Sequence, residues 1–145
     1  MAEALRVDTV SVHRAGVPTP GRRAFRLLHF AFTLVPFLAG IDKFTGVLAR
    51  WQDYLSPHFA RILPIAPATL MHLVGAVEIT AGFLVALRPK IGGYVVAAWL
   101  VAIIVNLVLL GAHYDVALRD FGLVFASLAL ARLAQVYDLS PEVHE

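Results

Sequence analysis

His72-Leu73-Val74-Gly75-Ala76-Val77-Glu78-Ile79-Thr80-Ala81-Gly82 is the stretch from which the rest of the chain can be read. It lies in a run from Ala66 to Leu87 whose only ionisable residues are His72 and Glu78. About 20 apolar residues at a rise of about 1.5 Å each cross a bilayer core of about 30 Å. Glu78 falls near the middle of that span. A carboxyl group at that depth costs about 2.5–3.5 kcal/mol on insertion scales, so it needs a partner, a proton or a function.

Composition extends this reading to the whole chain. Of 145 residues, 59% are hydrophobic and 15% charged, and the mean hydropathy is +0.76. Soluble domains hold about 25% charged residues, so the chain reads as an integral membrane protein with one compact all-α domain, a polytopic four-helix bundle. Its apolar runs are continuous rather than alternating, which excludes an outer-membrane barrel. There is no cysteine, which excludes thiol chemistry and thiolate metal sites within this chain. The net charge of +2, with basic residues at membrane edges, points to topology signals rather than nucleic-acid contacts.

Working outward, residues 1–21 read as a flexible cytoplasmic tail, punctuated by Gly16, Pro18, Pro20 and Gly21. The membrane domain is expected over 22–137, followed by a short acidic tail over 138–145. The tail lacks a signal-type apolar core, so the first helix is expected to be retained. That helix is expected over about 22–48, kinked at Pro36. Trp51, Tyr54, Leu55, Phe59 and Ile62, with a Ser56-Pro57 cap, predict short interfacial helices before the second span. The third helix is expected over about 91–113 and the fourth over 116–136. Lysine and arginine are uneven: Arg6, Arg14, Arg22, Arg23, Arg26, Arg88, Lys90 and Arg132 on one side, and Arg50, Arg61 and Arg119, with Lys43 inside its helix, on the other. The asymmetry predicts a multi-pass protein of the cytoplasmic (inner) membrane with both termini in the cytoplasm.

The intramembrane polar residues gather at one depth, in the outer half. They are Asp42 and Lys43 on the first helix, His72 and Glu78 on the second, Asn106 on the third with Trp99 on its stripe, and Arg119 and Asp120 on the fourth. Gly75, Glu78 and Gly82 share one helix face, and Pro36, Gly40 and Lys43 another; small residues there permit close packing or leave room for a ligand. A Lys43–Glu78 ion pair is expected. The ordinary alternative is that Lys43–Glu78 and Arg119–Asp120 are pairs that only fix helix register, that Asn106 is an interhelical hydrogen-bonding group, and that His113 and Asp115 are loop residues. His72 and Glu78 are six residues apart, about 120° around the helix, and do not make a metal site. Asp120-Phe121-Gly122 matches a kinase magnesium motif by letters alone, without the accompanying loops.

Three stretches carry a resemblance: Gly40-Ile41-Asp42-Lys43-Phe44, Gly75-Ala76-Val77-Glu78-Ile79-Thr80-Ala81-Gly82, and Asp115-Val116-Ala117-Leu118-Arg119-Asp120-Phe121-Gly122-Leu123. Over about residues 26–137 the chain resembles the DoxX-like membrane proteins. The resemblance implies four helices, polar positions at Lys43, Glu78 and Asp120, and a quinone-linked or electron-transfer setting, since some members are subunits of thiosulfate:quinone oxidoreductase. It supplies no catalytic mechanism, and the sequence carries no haem-ligand pair or flavin motif. The leading expectation is a quinone- or small-ligand-binding subunit of a membrane redox complex, without an intrinsic cofactor or metal. Lys43, Asn106 and Arg119 would serve as donors, Glu78 and Asp120 would handle protons, and Trp99 and Phe44 would form walls. The alternatives are a small proton-coupled transporter and a non-catalytic scaffold recruiting a soluble redox enzyme. Expected partners are the lipid bilayer, a redox-enzyme subunit and, in some assemblies, further copies of the chain; no nucleic acid is expected.

Overall fold

The computed structural model describes residues 19–138. The expected tails lie outside them, apart from the few residues at their inner edges. Helices are α1 (Pro20–Thr45), α2 (Pro57–Ile62), α3 (Pro67–Leu87), α4 (Pro89–Leu110) and α5 (Tyr114–Tyr137), with a 3₁₀ turn at Trp51–Tyr54. The described residues contain no strand. Among them α1, α3 and α4 are long and apolar enough to cross a membrane, so the fold is an all-α membrane bundle.

Helix ends follow local chemistry. α1 starts at Pro20, two residues earlier than the sequence reading. The Thr19 side chain accepts a hydrogen bond from the Arg22 N–H, and proline at the first position gives up an N–H that would have no partner there. The Thr-Pro-Gly run that reads as a loop is therefore a helix start. α1 continues through Pro36 and stops at Thr45, earlier than expected, because Gly46 takes a left-handed conformation (φ 63°).

The bundle is built from two tight antiparallel pairs, α1 with α3 and α4 with α5, joined by sparser contacts between the pairs. Glycine sets the spacing in the first pair. A Cβ placed on Gly40 would lie 2.6 Å from the Gly75 carbonyl oxygen, and one on Gly75 would lie 2.7 Å from that of Gly40. In the second pair Gly93 lies against Ala131 and Ser127, and the buried Ser127 hydroxyl donates to the Gly93 carbonyl (2.6 Å).

The seam between the pairs is apolar toward the arginine-rich end. There Phe25, Phe32, Ala81, Val85, Val96, Leu130 and Ala134 form one buried cluster. His29 belongs to this end for a structural reason. The carbonyl of Val85 would normally receive the N–H four residues on, but that residue is Pro89. Val85 is fully buried, and the His29 ring supplies the missing donor, with Nε2 3.0 Å from the carbonyl oxygen. A buried carbonyl left without a partner costs about 1–3 kcal/mol.

Candidate functional site

The same seam becomes polar in its other half. Lys43 comes from α1, Glu78 from α3, Trp99 from α4 and Asp120 from α5, so each of the four long helices contributes one residue. Lys43 Nζ lies 2.6 Å from Glu78 Oε2, as the small-residue faces suggested, with both side chains buried. The approach is off the hydrogen-bonding axis, so the contact is an ion pair by distance rather than a well-formed hydrogen bond. The pair forms because Gly40 and Gly75 let the two backbones touch one turn away.

Two further groups face this pair. The Trp99 indole N–H interacts with the Glu78 carboxylate, yet it is a buried donor that completes no hydrogen bond of good geometry. Asp120 is only 8% exposed and lies within electrostatic reach of both Glu78 and Arg119. No described side chain donates a hydrogen bond to it. Two buried carboxyl groups therefore face one buried ammonium. An uncompensated buried charge is expensive, and besides the Lys43 ammonium the other cation within electrostatic reach of Asp120 is Arg119.

Above the cluster, the segment joining α1 to α3 forms a roof. Trp51 lies with its ring over Lys43 Nζ, 3.7 Å from the ring centroid, and its indole N–H donates to Asp42 Oδ2 (2.7 Å). Tyr54 stacks on His113 (centroids 4.2 Å apart), and His113 holds a left-handed backbone (φ 58°). The sequence pattern places Trp51 in a short interfacial helix and does not show its contact with Lys43. The sequence signal available was its position eight residues after Lys43, just beyond a helix-stopping glycine.

The remaining sequence candidates separate by what their side chains touch. Asp42 is a capping group: its carboxylate receives the Val47 and Leu48 N–H groups, the Thr45 hydroxyl and the Trp51 indole. It is occupied in turning the chain at the end of α1. Asn106 is not directed to the cluster as a donor. Its Nδ2 donates to the Tyr54 carbonyl (2.6 Å) and its Oδ1 accepts from the Ser56 N–H (2.9 Å), which clamps the roof to α4. Arg119 is exposed, because neighbouring helix positions point about 100° apart and Asp120 takes the inward one. His72 is exposed and stacks on Phe44 (centroids 5.0 Å apart), which places Phe44 beside His72 on the outside. No group of three or more metal-ligating side chains occurs among the described residues.

Comparison with protein-family models, with curated proteins and with solved structures finds no match.

Proposed function

We propose that this chain is a DoxX-like, multi-pass membrane subunit that binds a quinone or a similar small carbonyl ligand at the outer half of the seam. The observation that carries this reading is the mismatch in the cluster: two buried carboxyls, one ammonium and one indole N–H without a well-formed hydrogen bond. A carbonyl ligand entering between the helix pairs would meet donors at Lys43 and Trp99. Reduction of a quinone to its quinol takes two electrons, from a partner enzyme, and two protons, which Glu78 and Asp120 would relay to the carbonyl oxygens. Mostly apolar walls with a few convergent polar groups are the usual composition of such sites.

In this reading α5 is the fourth span; its 24 residues reach about 36 Å. The arginine-rich ends of α1 and of the α3–α4 turn lie in the cytoplasm, and both termini with them. A reporter fused after Glu145 should be active only when it is a cytoplasmic reporter. Activity of a periplasmic reporter at that position would invert the orientation.

Purification of the full chain in mild detergent, followed by mass spectrometry, tests the reading as a whole. The expected result is co-purification of a membrane quinone, a redox-enzyme subunit, or both. The same pair of buried carboxyls also suits a small proton-coupled transporter. Substrate-dependent proton uptake by liposomes holding this chain alone, with no bound quinone, would move the assignment there. A copurifying redox enzyme with no small ligand would favour a scaffold.

A further inference from the structure

The roof over the charged cluster is tied down at both edges, and its bonds decide from which side a ligand arrives. We infer that Trp51 is a specificity-determining lid, held by Asp42, which closes the cluster to the water phase and leaves it to lipid-borne ligands entering between α1 and α5. The inference rests on reading the cluster as a ligand site and names the class of molecule that reaches it.

The closure begins at the end of α1. Gly46 ends the helix, and the buried Asp42 carboxylate, four residues earlier, gathers the donors that follow. They are the Val47 N–H (2.9 Å), the Leu48 N–H (3.0 Å), the Thr45 hydroxyl (3.1 Å) and the Trp51 indole N–H (2.7 Å). Together they fold the chain back across the helix end. The bond to the indole fixes the Trp51 ring, and the ring centroid lies 3.7 Å from Lys43 Nζ. An ammonium over an aromatic face is held most strongly where water is excluded. Water is excluded here: the Lys43 side chain is 5% exposed and that of Glu78 8%.

The far edge is fastened separately. Asn106 of α4 donates to the Tyr54 carbonyl and accepts from the Ser56 N–H, and the Tyr54 ring stacks on His113 at the start of α5. Lifting the roof breaks these contacts, or the Asp42 bonds together with the contact over Lys43. Parting α1 from α5 beneath the roof leaves all of them in place, because none of them joins those two helices. Parting α3 from α4 at the same level would instead break the contact of Trp99 with Glu78. The α1–α5 side also leads to Lys43 on one wall and Asp120 on the other. A water-soluble carbonyl compound therefore meets the closed roof, and a lipid-soluble one with the same head group goes around it.

The test is amine labelling of the full chain in phosphatidylcholine nanodiscs, whose lipid has no reactive amine. Phenyl isothiocyanate, which partitions into the bilayer, is compared with its sulfonated analogue, which stays in water. The chain has two lysines, Lys43 and Lys90, which peptide mass spectrometry reads separately. Lys90 is exposed and serves as the reference that both reagents reach. Both reagents attack the same unprotonated amine, so the Lys43 rates relative to Lys90 compare access. In the wild type the apolar reagent should modify Lys43 about tenfold faster or more, the factor for breaking one hydrogen bond to a charged group. Trp51→Ala should raise the sulfonated reagent's rate at Lys43 by a similar factor. Trp51→Phe, which keeps a ring but loses the N–H, should raise it less. Equal wild-type rates for the two reagents overturn the inference, as does modification of Lys43 by neither, and this comparison needs no variant. An unchanged sulfonated rate in folded Trp51→Ala also overturns it. None of these rates involves a quinone. The expected labelling without quinone binding would keep the lid and remove the quinone, and quinone binding with equal labelling would do the reverse.

Discussion

Replacing Lys43 with Met should destabilise the protein by about 3–5 kcal/mol, the usual cost of stranding one member of a buried ion pair. The Lys43→Met/Glu78→Leu double variant should recover part of that loss. The ammonium is 2.6 Å from Glu78 and also lies over Trp51. Removing it leaves Glu78 and Asp120 facing one another with no cation between them, and leaves Trp51 without the charge it covers, worth a further ~0.5–2 kcal/mol. Removing Glu78 together with Lys43 restores the balance of charge. Unfolding of the four members of the cycle in mixed micelles reads the coupling. Additivity within about 0.5 kcal/mol would mean that the two side chains do not interact.

The second large effect is at Gly40. A methyl group there would meet the Gly75 carbonyl oxygen at 2.6 Å and the Ile79 nitrogen at 2.9 Å, both backbone atoms that cannot rotate away. Gly40→Ala should therefore cost about 1–3 kcal/mol by overpacking, although alanine is the better helix former by ~1 kcal/mol. Gly122→Ala makes the same chemical change in α5 where a Cβ would meet nothing within 4 Å. It should be neutral or mildly stabilising. Thermal denaturation of the two variants compares them directly. Equal effects would show that close approach of α1 to α3 does not set the geometry of the Lys43–Glu78 pair.

These residues also mark what the sequence made legible. The spans were readable because an apolar run of sufficient length has few other uses. Lys43 and Glu78 were readable as a pair because each sits beside glycines on its own helix at matching depth. The roof was not readable, since a loop's path depends on hydrogen bonds without periodicity. Asp42 and Asn106 looked like site residues by depth and type, but their side chains hold the Gly46–Ser56 segment in place. Arg119 and Asp120 are adjacent in sequence, and only packing against α4 and α1 decides which turns inward. The role of His29 follows from Pro89, 60 residues away in sequence and recognisable only once α1 lies against α3.

In the proposed function the Lys43–Glu78–Trp99–Asp120 cluster receives a ligand rather than only fixing the helices. The chain has two tryptophans, Trp51 over Lys43 and Trp99 beside Glu78, so tryptophan emission, excited at the red edge where its four tyrosines do not absorb, reports on this cluster. Titration of the purified protein with a short-chain quinone should quench that emission saturably. Glu78→Gln and Trp99→Phe should each weaken the apparent affinity by about tenfold or more, the loss expected for one buried polar contact. Quenching that never saturates in the wild type, or saturates equally in Glu78→Gln, would contradict the claim and leave the cluster as a structural lock between the two helix pairs.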